Sequence, residues 1–116
     1  MIHFNFFRRD GVFYGFEEKG HAGYAESGDD IVCSAVSAMT MLIINAVEVT
    51  YASDVDYTID EKTTDITVKA MGALEEFEAD EKKRFAIGGL IEAYYLQLND
   101  MLEDYYDFID VNVTDD

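Results

Sequence analysis

Proline is absent from this chain, so its turns must be made by Gly, Asp and Asn rather than by a preset φ. Cysteine occurs once, which excludes an internal disulfide. With no basic segment and apolar run at the N-terminus to serve as a signal peptide, the lone thiol points to a reducing cytoplasm. One cysteine and two histidines are too few for an ordinary zinc site, and no cofactor is implied. Basic residues are scarce: 8 Lys and Arg stand against 25 Asp and Glu, for a net charge of −17. That field repels nucleic acid and anionic lipid, which argues against either as a direct partner, and it attracts basic proteins. No apolar run reads as long and unbroken enough to span a membrane. The most apolar stretch, Ile31 to Val47, is interrupted by Cys33, Ser34, Ser37, Thr40 and Asn45.

Core-forming residues, in contrast, are plentiful. The chain is 49% hydrophobic and 14% aromatic, too rich to remain disordered despite its charge. Its 116 residues suit one domain, 1–116. Ile2 to Arg9 and Val12 to Glu18 read as strands around an Asp10-Gly11 hairpin turn. The segment from Lys19 to Asp30, KGHAGYAESGDD, carries Gly20, Gly23 and Gly28 without apolar periodicity and reads as a loop. Ile31 to Val49 is apolar on most of its circumference and predicts a buried helix capped by Asp29 or Asp30. Val55 to Ile59 and Ile66 to Ala70 predict a second hairpin. From about Asp80 to Asp104, the residues Ile91, Tyr94, Tyr95, Leu98, Met101, Leu102 and Tyr105 form one helical stripe. Phe108 to Val113 alternates as a last strand, followed by an acidic tail from Thr114 to Asp116. The order ββαββαβ predicts an α+β fold: a largely antiparallel sheet of about five strands with two long helices on one or both faces.

One segment places a nucleophile, a base and permissive backbone together. Cys33 falls within the first turn of the expected buried helix, where unpaired N–H groups and the helix dipole favour a thiolate. Asp29, Asp30 and the protein's overall charge oppose that, so a nearby imidazolium is needed, as in cysteine–histidine pairs generally. His21 lies twelve residues before Cys33, at the far end of the same glycine-rich loop. The plain alternative is an inert core cysteine and a solvated histidine.

The run GHAGYAESGDDIVCSAVS resembles the signature of the ribosomal-processing cysteine protease family, Prp: Gly-His-Ala, a short glycine-containing loop, Asp-Ile-Val-Cys-(Ala/Ser)-Ala, and a Ser one turn on. Here these are Gly20, His21, Ala22, Gly28, Asp30, Ile31, Val32, Cys33, Ser34, Ala35 and Ser37. Chain length, opening hairpin and element order also fit, so the resemblance covers essentially the whole chain. It implies a His21–Cys33 catalytic dyad and a homodimer, with a mobile loop gating the site. It also implies a substrate: the precursor of a large-subunit ribosomal protein, the twenty-seventh of that subunit. The N-terminal extension of that precursor is removed by a cut after the aromatic pair of a motif ending Phe-Phe-Ala.

Around the dyad, Gly20, Asp30, Ser34 and Ser37 are candidate supporting or substrate-binding residues. Asp30 either orients His21 or caps the helix, and Ser37 either shapes the pocket or bonds back to its own helix. Backbone N–H groups at the helix start are candidate oxyanion donors. The second helix is the first candidate for a dimer surface. Two other readings keep Cys33 out of proteolysis: an acidic, non-enzymatic protein binding a basic ribosomal partner, and a redox-sensing thiol protein.

Overall fold

The computed structural model describes the backbone of residues 1–20 and 27–116 and the side chains of residues 1–20 and 31–116. Strands β1 (Ile2–Arg9) and β2 (Val12–Lys19) form the opening hairpin. Gly11 takes the left-handed backbone that a tight turn requires, with φ of 80°. Helix α1 (Ser27–Asn45) continues through a π-helical turn at Ala46–Thr50. Strands β3 (Asp56–Ile59) and β4 (Ile66–Lys69) are the second hairpin; a 3₁₀ turn, helix α2 (Glu81–Tyr105) and strand β5 (Ile109–Asp115) complete the chain. The sheet order is β3-β4-β2-β1-β5. Every pair is antiparallel except β1 with β5, because α2 intervenes as the crossover that brings β5 back alongside β1. The fold is the expected α+β, with five strands and two long helices.

Alternation along the strands decides which face is covered. Phe4, Phe6, Phe16 and Val68 share one face and are completely or almost completely buried. The ring of Tyr94 on α2 sits edge-on against Phe4, Phe6 and Phe16, with centroids 5.8, 5.9 and 5.2 Å away. Thr40 of α1 touches Glu18, which shares the same face. Both helices therefore lie on one side of the sheet, and residues such as His3 and Lys69 line the other, more exposed side. A bulge after Phe7 shifts the register of the hairpin and swings Tyr14 to that other side, where its ring lies 6.0 Å from Phe7.

Three expectations change. Helix α1 opens at Ser27, four residues before the expected Ile31, so Asp29 and Asp30 stand in its first turn rather than at its cap. Acidic residues are favoured there by the dipole, but the apolar pattern begins only at Ile31 and hides them. The acidic tail is not a free tail: Thr114 and Asp115 belong to β5. Arg8 Nε donates to Asp115 at 2.6 Å, Arg9 Nε donates to Asp116 at 2.9 Å, and the Tyr14 hydroxyl donates to Asp116. Finally, Ile31–Thr50 is long and apolar enough to cross a bilayer by length and composition, with a mean hydropathy of 1.8. The interrupting residues are too mildly polar to lower that value. In this fold, however, its buried stripe of Val32, Val36, Ile43, Ile44 and Val47 belongs to the core packed over the sheet.

Candidate active site

The candidate site residues lie in sequence between the end of β2 and the first turns of α1. Gly20 follows β2 with φ of 89°, a conformation that side chains with a Cβ rarely adopt. Its N–H donates to Asp65 Oδ1 at 3.2 Å, tying the strand exit to the loop before β4. His21 follows directly in sequence and lies outside the described residues, as do Gly23 and the side chain of Asp30. The geometry of the His21–Cys33 pair is thus outside the description as well.

Cys33 is half-buried on α1 and packs against the hydrophobic core. With the helix opening at Ser27, Cys33 is its seventh residue and not part of the first turn. The unpaired N–H groups of a helix belong to its first four residues, so Cys33's own N–H is used within α1. The dipole effect also fades beyond the first turn. Activation of the thiol by the helix end is therefore weaker than the sequence suggested, and the demand on a neighbouring imidazole is greater. For the same reason the N–H groups immediately around Cys33 are not free oxyanion donors. Ser34 and Ser37 are exposed on α1.

Further along α1, a polar chain that the sequence reading missed joins β2, α1 and α2. The Thr40 hydroxyl donates to Glu18 Oε1 at 2.5 Å and stands 2.9 Å from the Tyr94 hydroxyl. Tyr94 donates in turn to the Val36 carbonyl at 3.1 Å. Glu18 is 0% and Thr40 1% exposed. Burial, with the carboxylate of Glu18 adding to it, pushes the Tyr94 hydroxyl's pKa far above its ordinary value. The signal was present: Glu18 occupies the inward position next after Phe16, where alternation calls for an apolar residue.

A groove of about 340 Å³ lined by Val12, Phe13, Ala73, Phe85 and Gly88 opens beside the β1–β2 turn. The length of β2, about 25 Å for eight residues, separates that turn from Gly20.

A mixed five-stranded sheet, two helices on one face and a half-buried cysteine on α1, twelve residues after His21 in sequence, make an α+β domain with a candidate thiol nucleophile. The family model of the cysteine protease Prp matches residues 1–110, and the chain belongs to that family. The crystal structure of SMU.848 from Streptococcus mutans is 31% identical, covers 100% of this chain and 99% of its own, and superposes with a TM-score of 0.81. The ribosomal processing protease Prp from S. aureus, in complex with a substrate peptide, is 20% identical. That match covers 98% of this chain and 100% of the other, with a TM-score of 0.79. The same S. aureus protease with a covalently linked product peptide gives 21% identity over the same shares and a TM-score of 0.76. These two share the fold. The curated proteins give no match.

Proposed function

We propose that this chain is a cysteine endopeptidase that removes the N-terminal extension of a ribosomal protein precursor, cutting after an aromatic pair, with Cys33 as nucleophile and His21 as general base. The observation that carries this reading is the family match over residues 1–110, which spans the Gly20-His21 and Asp30-Ile31-Val32-Cys33 motif. The fold-sharing protease from S. aureus is described as a ribosomal processing enzyme and has been captured with substrate and with a covalently linked product. A covalent product suits a thiol nucleophile.

The chemistry follows from the two side chains. His21 takes the proton of Cys33, and the thiolate attacks the scissile carbonyl to form a tetrahedral intermediate and then an acyl-enzyme. His21 gives its proton to the leaving amine, then takes one from the water that releases the acyl group. The half-buried position of Cys33 suits a nucleophile that must be reached by a peptide while resting on a rigid core.

The same reading places the enzyme in the cytoplasm as a homodimer, without direct binding to nucleic acid or membrane. For the dimer, α1 supports the proposal better than α2. Its outer side exposes Ile31, Met41 and Leu42, and no charged residue occurs from Ile31 to Val47. Two copies of a chain of net charge −17 repel each other, and an uncharged face keeps that repulsion lowest at the contact.

The test is cleavage of a peptide whose recognition segment ends in Phe-Phe-Ala, read by mass spectrometry with wild type, Cys33→Ala and His21→Ala. One cut after the aromatic pair, lost in both variants, is expected. No cut by wild type, together with a Cys33 inert to alkylation, would overturn the protease reading.

A further inference from the structure

We infer that Glu18 is a positioning residue for this proteolysis: through Thr40 and Tyr94 it sets how the helix carrying Cys33 is turned against the strand that leads to His21. The inference rests on the Cys33 and His21 roles proposed above.

Apolar packing by itself does not set that rotation. Helix α1 is apolar on its buried stripe and again on its outer side, where Ile31, Met41 and Leu42 are 58, 48 and 61% exposed. A helix of this kind gains similar burial over a range of rotations, because the hydrophobic effect has no direction. Hydrogen bonds do have direction. Glu18 and Thr40 are the two buried polar side chains among the described residues, and they touch. Placing a carboxylate in the core is costly unless its geometry is satisfied, so this contact has one favoured arrangement. Tyr94 extends it to α2 and ends on the Val36 carbonyl, back on α1. Three elements are thereby pinned to one another.

The pinned point lies in line with the nucleophile. Thr40 follows Cys33 by seven residues, which on a helix is about 20° short of two turns and about 10 Å along the axis. The rotation imposed at Thr40 is thus transmitted to Cys33. A turn of roughly 10° at the side-chain radius of about 5 Å displaces the sulfur by about 1 Å. Misplacement on that scale lowers rates by about a hundredfold. On the strand side, Glu18 is the last buried residue before Gly20 and precedes His21 by three residues.

Steady-state cleavage of the Phe-Phe-Ala peptide tests this with Glu18→Leu, Glu18→Gln, Thr40→Val and Thr40→Ser, each also followed through thermal unfolding. Glu18→Leu and Thr40→Val are expected to lower kcat by about ten- to a hundredfold with little change in KM, while still unfolding cooperatively. Glu18→Gln retains an oxygen that accepts from Thr40, and Thr40→Ser retains the donor, so both are expected to keep most of kcat. The Glu18→Leu/Thr40→Val double variant is expected to lose little beyond either single change, as members of one unit do. If Glu18→Leu fails to fold, the contrast between Thr40→Val and Thr40→Ser decides. An active wild type with full kcat in Thr40→Val or Glu18→Leu overturns the positioning role alone. Equal losses in the conservative and the apolar variants also overturn it. A wild type that leaves the peptide intact overturns the protease reading and this inference with it.

Discussion

Gly20 lies directly against the first residue of the chain: a Cβ on Gly20 would come within 2.4 Å of the Met1 carbonyl oxygen. Its φ of 89° adds a second obstacle. Gly20→Ala is therefore expected to destabilise the protein by at least about 1 kcal/mol from the backbone conformation alone. The contact with Met1 adds to this, and cleavage should fall with it, since His21 follows directly. Thermal unfolding checks it: each kcal/mol corresponds to a loss of roughly 4 °C in Tm for a domain of 116 residues. An unchanged Tm would mean that neither obstacle operates.

Gly15 and Gly89 should respond to alanine in opposite directions. At Gly15 a Cβ would meet the Val68 carbonyl oxygen at 2.4 Å and the Lys69 Cα at 3.1 Å, both backbone atoms of the paired strand. Gly15→Ala must push β2 and β4 apart and is expected to lose about 2 kcal/mol or more. At Gly89, within α2, nothing lies within 4 Å of the added atom. Gly89→Ala is expected to gain about 0.5–1 kcal/mol from helix propensity. Urea midpoints of the two variants measure both.

Acid should loosen the C-terminal end of the sheet. The Arg8 guanidinium holds the Asp115 carboxyl below its usual value, and Arg9 followed by Tyr14 does so for Asp116. Both groups are more acidic folded than unfolded, so their contribution is present above the unfolded value, about 3.9, and is lost as pH falls through the lower folded values. Asp115→Asn and Asp116→Asn should flatten the dependence of stability on pH below about 4. High salt should shrink the difference, since these pairs are exposed. Denaturant titrations from neutral pH to pH 2–3 would reveal it; identical slopes in wild type and variants would contradict it.

Alkali should act in the core between the sheet and the helices. Burial first, then Glu18, raises the Tyr94 hydroxyl's pKa, only partly offset by the Thr40 hydrogen bond. Its contribution to stability is complete below the unfolded value of about 10 and is lost as pH rises toward the higher folded value. Tyr94→Phe keeps the ring against Phe4, Phe6 and Phe16 but removes the hydroxyl. It is expected to cost about 1 kcal/mol at neutral pH and to make the loss of stability above about pH 10 shallower. Unfolding curves at pH 8 through 11 compare the two.

The sequence by itself was enough for the element order and the class of fold. Alternation in β1, β2 and β5 and the three- and four-residue steps of Ile91, Tyr94 and Leu98 follow directly from which side chains avoid water. The proposed His21–Cys33 pair was legible as a motif, because Gly20, His21, Asp30 and Cys33 lie within one short run of chain. Other features were decided only by tertiary structure. The start of α1 at Ser27 falls in a helical turn, Ser27 to Asp30, whose sequence carries no apolar signal. The capture of Asp115 and Asp116 by Arg8 and Arg9 joins the two ends of the chain through the parallel pairing of β1 with β5. The meeting of Glu18, Thr40 and Tyr94 joins three separate elements. Local patterns report burial, which each residue carries in its own chemistry. Pairing between distant polar groups depends on how the sheet and helices are laid against one another, and no window of sequence contains that information.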